Sequence, residues 1–191
     1  MKINRFVIKF SKMYHRMKLK DESVNFILLA EDMNDCLVCM PSDMKYIYEA
    51  ASRLPDIASI FPNRLIKIIL TSNVDPRSYG FIKRFEIIKP YSYDLNLLCL
   101  PKRTFLKKII GKGLSICIDL DFEPNFFNSS LCALTRAPMR IGINKGMGLP
   151  YYNMEIQSGG EDVPPKKKYD NFIKVLYNFN SEGEEIAPIE T

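Results

Sequence analysis

Asp119, Asp121 and Glu123 alternate along the stretch Leu114–Asn125, which opens as an apolar β-branched run and closes on Asn125. Alternate residues of a strand share a face, so an extended backbone would align three carboxylates, enough with water to hold Mg²⁺. The D-x-D pattern also looks like the metal motif of one glycosyltransferase architecture and like that of haloacid-dehalogenase-type phosphatases. The phosphatase motif, however, opens the first strand of its domain and continues with a small residue. Here Phe122 follows, in mid-chain. A simpler role is structural: a strand-end aspartate caps the helix expected over Asn125–Ala137. The spacing favours that role, and no metal is expected.

A second polar cluster, Pro41-Ser42-Asp43, closes an apolar run over Asp35–Met40. A shielded aspartate at a strand end can act as a general base. Asp43 also precedes a helical pattern (Tyr46, Ile47, Ala50, Ala51, Leu54), and a carboxylate at a helix N-terminus is stabilised as a cap. Capping is the favoured role for Asp43, which is kept as the candidate catalytic residue. Ser42, Asp119, Asp121 and Asn125 are kept as candidate ligand-binding residues.

Other chemistries find less support. Cys36 and Cys39 form a C-x-x-C inside an apolar run, and their odd spacing sends the two sulfurs to opposite faces of a strand. A zinc site needs two further ligands, and neither a second C-x-x-C nor a histidine pair exists, so core cysteines are expected. The single histidine, His15, lies in an N-terminal arm, which removes Ser-His-Asp and Cys-His catalysis. Gly111-Lys112-Gly113 follows a helix and precedes a strand, the reverse of a dinucleotide fingerprint. Lys145-Gly146-Met147-Gly148 follows a strand without opening a helix and reads as a flexible loop with one lysine. No cofactor is expected.

The elements that must position these residues alternate between strand and helix. Strands are expected at Asp35–Met40, 64–71, 86–89, 95–100, Leu114–Leu120, Met139–Ile143 and 151–156, with helices after Asp43, over 104–110 and over Asn125–Ala137. A short apolar run at 26–30 is a further strand candidate, and 73–77 a turn. This order predicts an α/β fold, a Rossmann-like three-layer parallel sheet, with Leu114–Leu120 central because its composition is apolar throughout. The expected organisation is a basic amphipathic arm over 1–24, the α/β domain over 25–157, a linker and C-terminal helix over 158–180, and an acidic mobile tail over 181–191.

At 191 residues, 47% of them hydrophobic, the chain can build one well-cored domain. The net charge of +5 is uneven. Residues 1–20 hold seven Lys and Arg and no acid, and removing these from the chain's 27 leaves 20 bases against 22 acids. The body is therefore slightly acidic, and a nucleic-acid partner is not expected. In the arm, Phe6, Phe10, Met13 and Met17 recur at helical spacing with bases on the other faces. Such a stripe needs a cover. A protein partner or a second copy of the chain is preferred over peripheral contact with an anionic membrane. No run reaches the ~20 apolar residues of a transmembrane helix. The opening residues lack a secretory signal, and a cytoplasmic protein with reduced thiols is expected.

The stretch LCALTRAPMRIGINKG (Leu131–Gly146), the downstream Tyr152-Asn153 and the lysine-rich start of the helix at 166–176 resemble glycosyltransferase family 9, the heptosyltransferase-like family. The resemblance runs from about residue 35 to about 178. It implies the N-terminal, acceptor-side Rossmann half of a two-domain enzyme. In that family a glycine-rich turn and an aspartate, taken to be the base that activates the acceptor hydroxyl, stand where Pro41-Ser42-Asp43 stands here. Asp43 matches the aspartate, and Ser42 replaces the glycine. The chain ends where the family's sugar-nucleotide-binding half would begin. The expectation is a glycosyltransferase-like domain that binds or scaffolds without catalysing, or else the acceptor half of a split glycosyltransferase.

Overall fold

The computed structural model describes residues 35–70, 85–160 and 162–182. The N-terminal arm, the strand candidate at 26–30, the turn at 73–77 and the end of the acidic tail lie outside the described residues. Six strands run parallel in one sheet: β1 (Asp35–Cys39), β2 (Ile66–Ile69), β3 (Phe85–Ile88), β4 (Leu114–Asp119), β5 (Met139–Ile143) and β6 (Met154–Ile156). Their spatial order is β3-β2-β1-β4-β5-β6. Chain order thus reverses between β1 and β4. At such a switch point, outside the carboxyl ends of the two strands, open α/β sheets bind their ligands.

Among the described residues, five helices cover the sheet: α1 (Met44–Ser52), α2 (Leu54–Ile60), α3 (Arg103–Ile110), α4 (Phe126–Thr135) and α5 (Pro165–Glu182). Ile47, Ala50, Leu54, Ile57, Tyr169, Phe172 and Leu176 bring α1, α2 and α5 onto one face. Phe105, Ile109, Leu131, Cys132 and Ala133 bring α3 and α4 onto the other. This is the expected three-layer arrangement. β4 is buried along its whole length and sits in the middle of the sheet, because both its faces are covered and no polar side of the strand needs water.

Local chemistry sets the boundaries. The helical pattern after Asp43 is not one helix but two. α1 ends at Ser52, Arg53 serves as cap to both, and Pro55 falls in the first turn of α2, where a missing N–H costs nothing. The strand expected at 95–100 is absent: a 3₁₀ turn at Ser92–Asp94 is followed by a loop with one isolated antiparallel bridge, Leu95 to Pro101. Asn96 Oδ1 accepts from the N–H groups of Leu98 and Leu100, which folds that backbone on itself and removes it from sheet pairing. Lys67, in mid-β2, is buried, with Nζ 2.6 Å from Asp35 and donating to the Ile109 carbonyl at 2.9 Å. Among the described residues no helix is long and apolar enough to cross a membrane.

Candidate functional site at the strand switch point

The carboxyl ends of β1 and β4 bring Ser42, Asp119, Asp121 and Asn125 together, as their places in the sequence suggest. β1 leads through Met40 and Pro41 to Ser42, and β4 ends on Asp119. Register pairs Cys39 with Asp119, so the two strands stop level with each other. The crevice that opens there in other doubly wound sheets is here bridged by hydrogen bonds.

Asp121 makes the first bridge. Its Oδ2 accepts from the backbone N and the Oγ of Ser42, both at 3.0 Å, and from Asn125 Nδ2 at 3.0 Å. Its Oδ1 accepts from the N–H of Glu123 at 3.2 Å. Asp121 therefore ties the loop after β4 to the loop after β1. The cap of α4 is Asn125, whose Oδ1 accepts from the N–H groups of Phe127 and Asn128. That corrects the expectation that a strand-end aspartate caps this helix. The chain turns out of extended geometry at Asp119, and Asn125 stands at the cap position. The same turn takes Glu123 to the exposed surface, away from the two aspartates, so the three carboxylates do not line one face.

Asp119 makes the second bridge, from deeper in. It has no solvent exposure. Oδ1 accepts from the Asp121 N–H and from Asn128 Nδ2, both at 3.1 Å, and the same Nδ2 donates to the Met40 carbonyl at the end of β1. Oδ2 accepts from Tyr152 Oη at 2.5 Å and from Lys145 Nζ at 2.7 Å. Lys145 also donates to the Asp121 carbonyl at 2.9 Å. Its side chain is 2% exposed, so the one lysine of this loop is drawn into the protein. Burying a carboxylate is costly unless a charge and hydrogen bonds compensate, and Lys145 and Tyr152 supply both.

Tyr152 completes the network. Its hydroxyl lies 2.8 Å from Ser129 Oγ, and its ring lies against Gly142, where an added Cβ would stand 3.0 Å from ring carbons. Burial and the negative charge of Asp119 push the Tyr152 hydroxyl well above its ordinary value. A tyrosine so placed stays protonated and donates. It cannot serve as a base near neutral pH.

The loop at 144–148 is occupied in a similar way. The carboxylate of Glu155 accepts from the backbone N–H groups of Met147 at 3.2 Å and Gly148 at 3.1 Å, and Gly146 and Gly148 have φ of 70° and 52°. Such a concavity of N–H groups is able to hold an anion, and the anion it holds is a side chain of the same protein.

Asp43 stands apart. It is exposed, its Oδ1 caps α1 by accepting from the Lys45 N–H at 3.0 Å, and Lys45 Nζ lies 3.8 Å from its other oxygen. No hydrogen bond joins it to Asp119 or Asp121.

Sequence reasoning missed Lys145, Tyr152 and Asn128 as partners of Asp119, and Ser129 as the partner of Tyr152. Tyr152 and Lys145 both stood in the segments that carried the family resemblance, and that was the only signal. It also missed a convergence of cysteines. Cys36 and Cys39 do face opposite sides of β1, as their spacing requires, but Cys117 of β4 and Cys132 of α4 lie beside Cys39. Within that group, bonds from its two neighbours lower the Cys117 thiol relative to theirs. Cys39 is raised by that bond to Cys117, and Cys132 by burial.

No protein-family model matches the chain, and no curated protein and no solved structure is significantly similar to it.

Proposed function

We propose that this chain is a non-catalytic, glycosyltransferase-like domain that serves as a binding or scaffolding module in a protein assembly. The observation that carries the reading is the engagement of Asp119 and Asp121 by the protein's own donors. All four of their carboxylate oxygens accept hydrogen bonds from the protein itself. A catalytic or metal-binding carboxylate must offer a lone pair to substrate or ion. Freeing Asp119 would mean breaking its buried ion pair with Lys145, and freeing Asp121 the bonds that join it to Ser42 and Asn125. Among the described residues, four of the exposed large apolar side chains, Tyr91, Tyr93, Leu97 and Leu98, share one short segment after β3. Contiguous apolar exposure of this kind favours contact with another macromolecule over a purely solvated surface.

The alternative, an acceptor-binding half of a split glycosyltransferase, has one observation in its favour. Asp43 is the only carboxylate of the candidate set that faces solvent, at the carboxyl end of β1. A co-purifying chain that supplies a sugar-nucleotide-binding half would favour the split enzyme. Calorimetric titration of the full chain with UDP-, GDP- and ADP-sugars tests the scaffold reading directly. The scaffold reading expects no binding tighter than millimolar. Micromolar binding of any one sugar nucleotide, lost in Asp43→Asn, would replace it with the enzyme reading.

A further inference from the structure

Three cysteines from separate elements meet on the face of the sheet covered by α3 and α4. Cys39 ends β1, Cys117 lies within β4 and Cys132 within α4, and none has any solvent exposure. The register that sets Leu37 opposite Cys117 puts Cys39 two residues along on the same face, so the two strand sulfurs are diagonal neighbours. Cys132 arrives from the covering helix. All three Sγ atoms lie within 4.8 Å of one another, and those of Cys117 and Cys132 are 3.2 Å apart.

We propose that Cys39, Cys117 and Cys132 form a three-sulfur site for a soft, thiophilic metal ion of the monovalent copper type. With a metal–sulfur bond of about 2.3 Å, three sulfurs in a trigonal plane stand roughly 4 Å apart, so these thiols need shifts of well under an ångström or so to close on an ion. Cys36, on the opposite face of β1, and exposed Cys99 take no part.

The surroundings choose the ion. Among the described residues no histidine or carboxylate joins the three sulfurs, and the remaining neighbours on this face include Leu37, Leu131 and Ala133. A structural zinc wants a fourth ligand, whereas an all-sulfur, low-coordinate environment suits Cu(I). The ion binds as the three thiols give up their protons to solvent, since thiolate and not thiol is the metal ligand. No electron is transferred. A Cys117–Cys132 disulfide is the competing chemistry, and it would leave Cys39 out.

The sulfurs are buried, so loading is best coupled to folding. The full chain is unfolded under reducing, anaerobic conditions, refolded with acetonitrile-stabilised Cu(I), and desalted through a competing chelator. Copper content and X-ray absorption are then measured. The expected result is one copper per chain with three sulfur scatterers, reduced about tenfold or more in Cys132→Ser and Cys117→Ser and unchanged in Cys36→Ser and Cys99→Ser. If a core serine variant does not refold, the sulfur coordination number of the wild-type chain decides alone. Refolded wild-type protein without copper, copper on fewer than three sulfurs, equal uptake by Cys132→Ser and Cys99→Ser, or a disulfide formed in place of copper uptake would each overturn the proposal.

Discussion

Lys145 Nζ lies 2.7 Å from Asp119 Oδ2, and both side chains are buried. The lysine comes from the loop after β5 and the aspartate from the end of β4, so the pair fastens the top of the sheet at the point where a ligand would otherwise enter. Removing one partner of a buried pair leaves the other charge without compensation, which costs about 3–5 kcal/mol. Lys145→Met is therefore expected to lower the unfolding free energy by about that amount in urea titration. A loss below about 1 kcal/mol would mean that the pair is solvated and the site open.

Gly142 and Tyr152 test the same network from its apolar side. A methyl at Gly142 would meet the Tyr152 ring at 3.0 Å, while one at Gly160 would meet nothing within 4 Å. Gly142→Ala is expected to destabilise by about 1–3 kcal/mol through overpacking. Gly160→Ala should lie within about 0.5 kcal/mol of wild type. Thermal melting of the two variants in parallel checks the contrast, and equal melting temperatures would refute the packing described.

Two of the buried tyrosines, Tyr152 and Tyr169, give the protein an alkaline limit. Burial first, and then neighbouring carboxylates, raise the hydroxyls of Tyr152 and Tyr169 in the folded state. A raised folded value means that the unfolded chain loses these protons first. Their contribution is complete below the ordinary tyrosine value of about 10 and declines as pH rises beyond it, by about 1.4 kcal/mol per pH unit for each group. Urea midpoints should fall above pH 10, and Tyr152→Phe should fall with a shallower slope, having one fewer group to titrate. An unchanged slope would show that Tyr152 ionises in the folded protein.

If Asp119 and Asp121 are structural, their oxygens are engaged by the protein and do not take up a divalent ion. Crystals soaked in Mn²⁺ are expected to show no anomalous density at these carboxylates. Octahedral density on either would restore a metal-dependent reading.

The basic arm offers a prediction from sequence alone. Its stripe of Phe6, Phe10, Met13 and Met17 is expected to dock on protein. Deleting residues 1–20 should then lower the oligomeric mass in light scattering and leave the α/β body folded. If the mass is unchanged while the full-length chain pellets with anionic liposomes in a salt-sensitive way, the arm is a membrane contact.

What the sequence made legible, and what it hid, follows from the range of the interactions concerned. β4 and its central place could be read because burial on both faces writes itself into consecutive residues, from Leu114 to Asp119. Asp119, Asp121, Asn125 and Ser42 could be picked out because strand ends concentrate polar residues in an α/β sheet. The partners could not. Lys145 is 26 residues from Asp119 and Tyr152 is 33, and nothing in the glycines around Lys145 tells that its tip is buried. The meeting of Cys39 with Cys117 and Cys132 likewise depends on strand register and on the facing of α4, which no local spacing encodes. The strand expected at 95–100 failed for the opposite reason, since the side chain of Asn96 outcompeted sheet pairing for its own neighbours.

The claim at the centre of this account is that the crevice between β1 and β4 is closed by Asp121 reaching across to Ser42. A double-mutant cycle of Ser42→Ala and Asp121→Ala, followed by urea unfolding, measures that bridge. The account predicts a coupling of about 1.5–3 kcal/mol, the range of a hydrogen bond to a charged group. Additivity within about 0.3 kcal/mol would contradict it, since the Ser42 hydroxyl would then make no bond to Asp121.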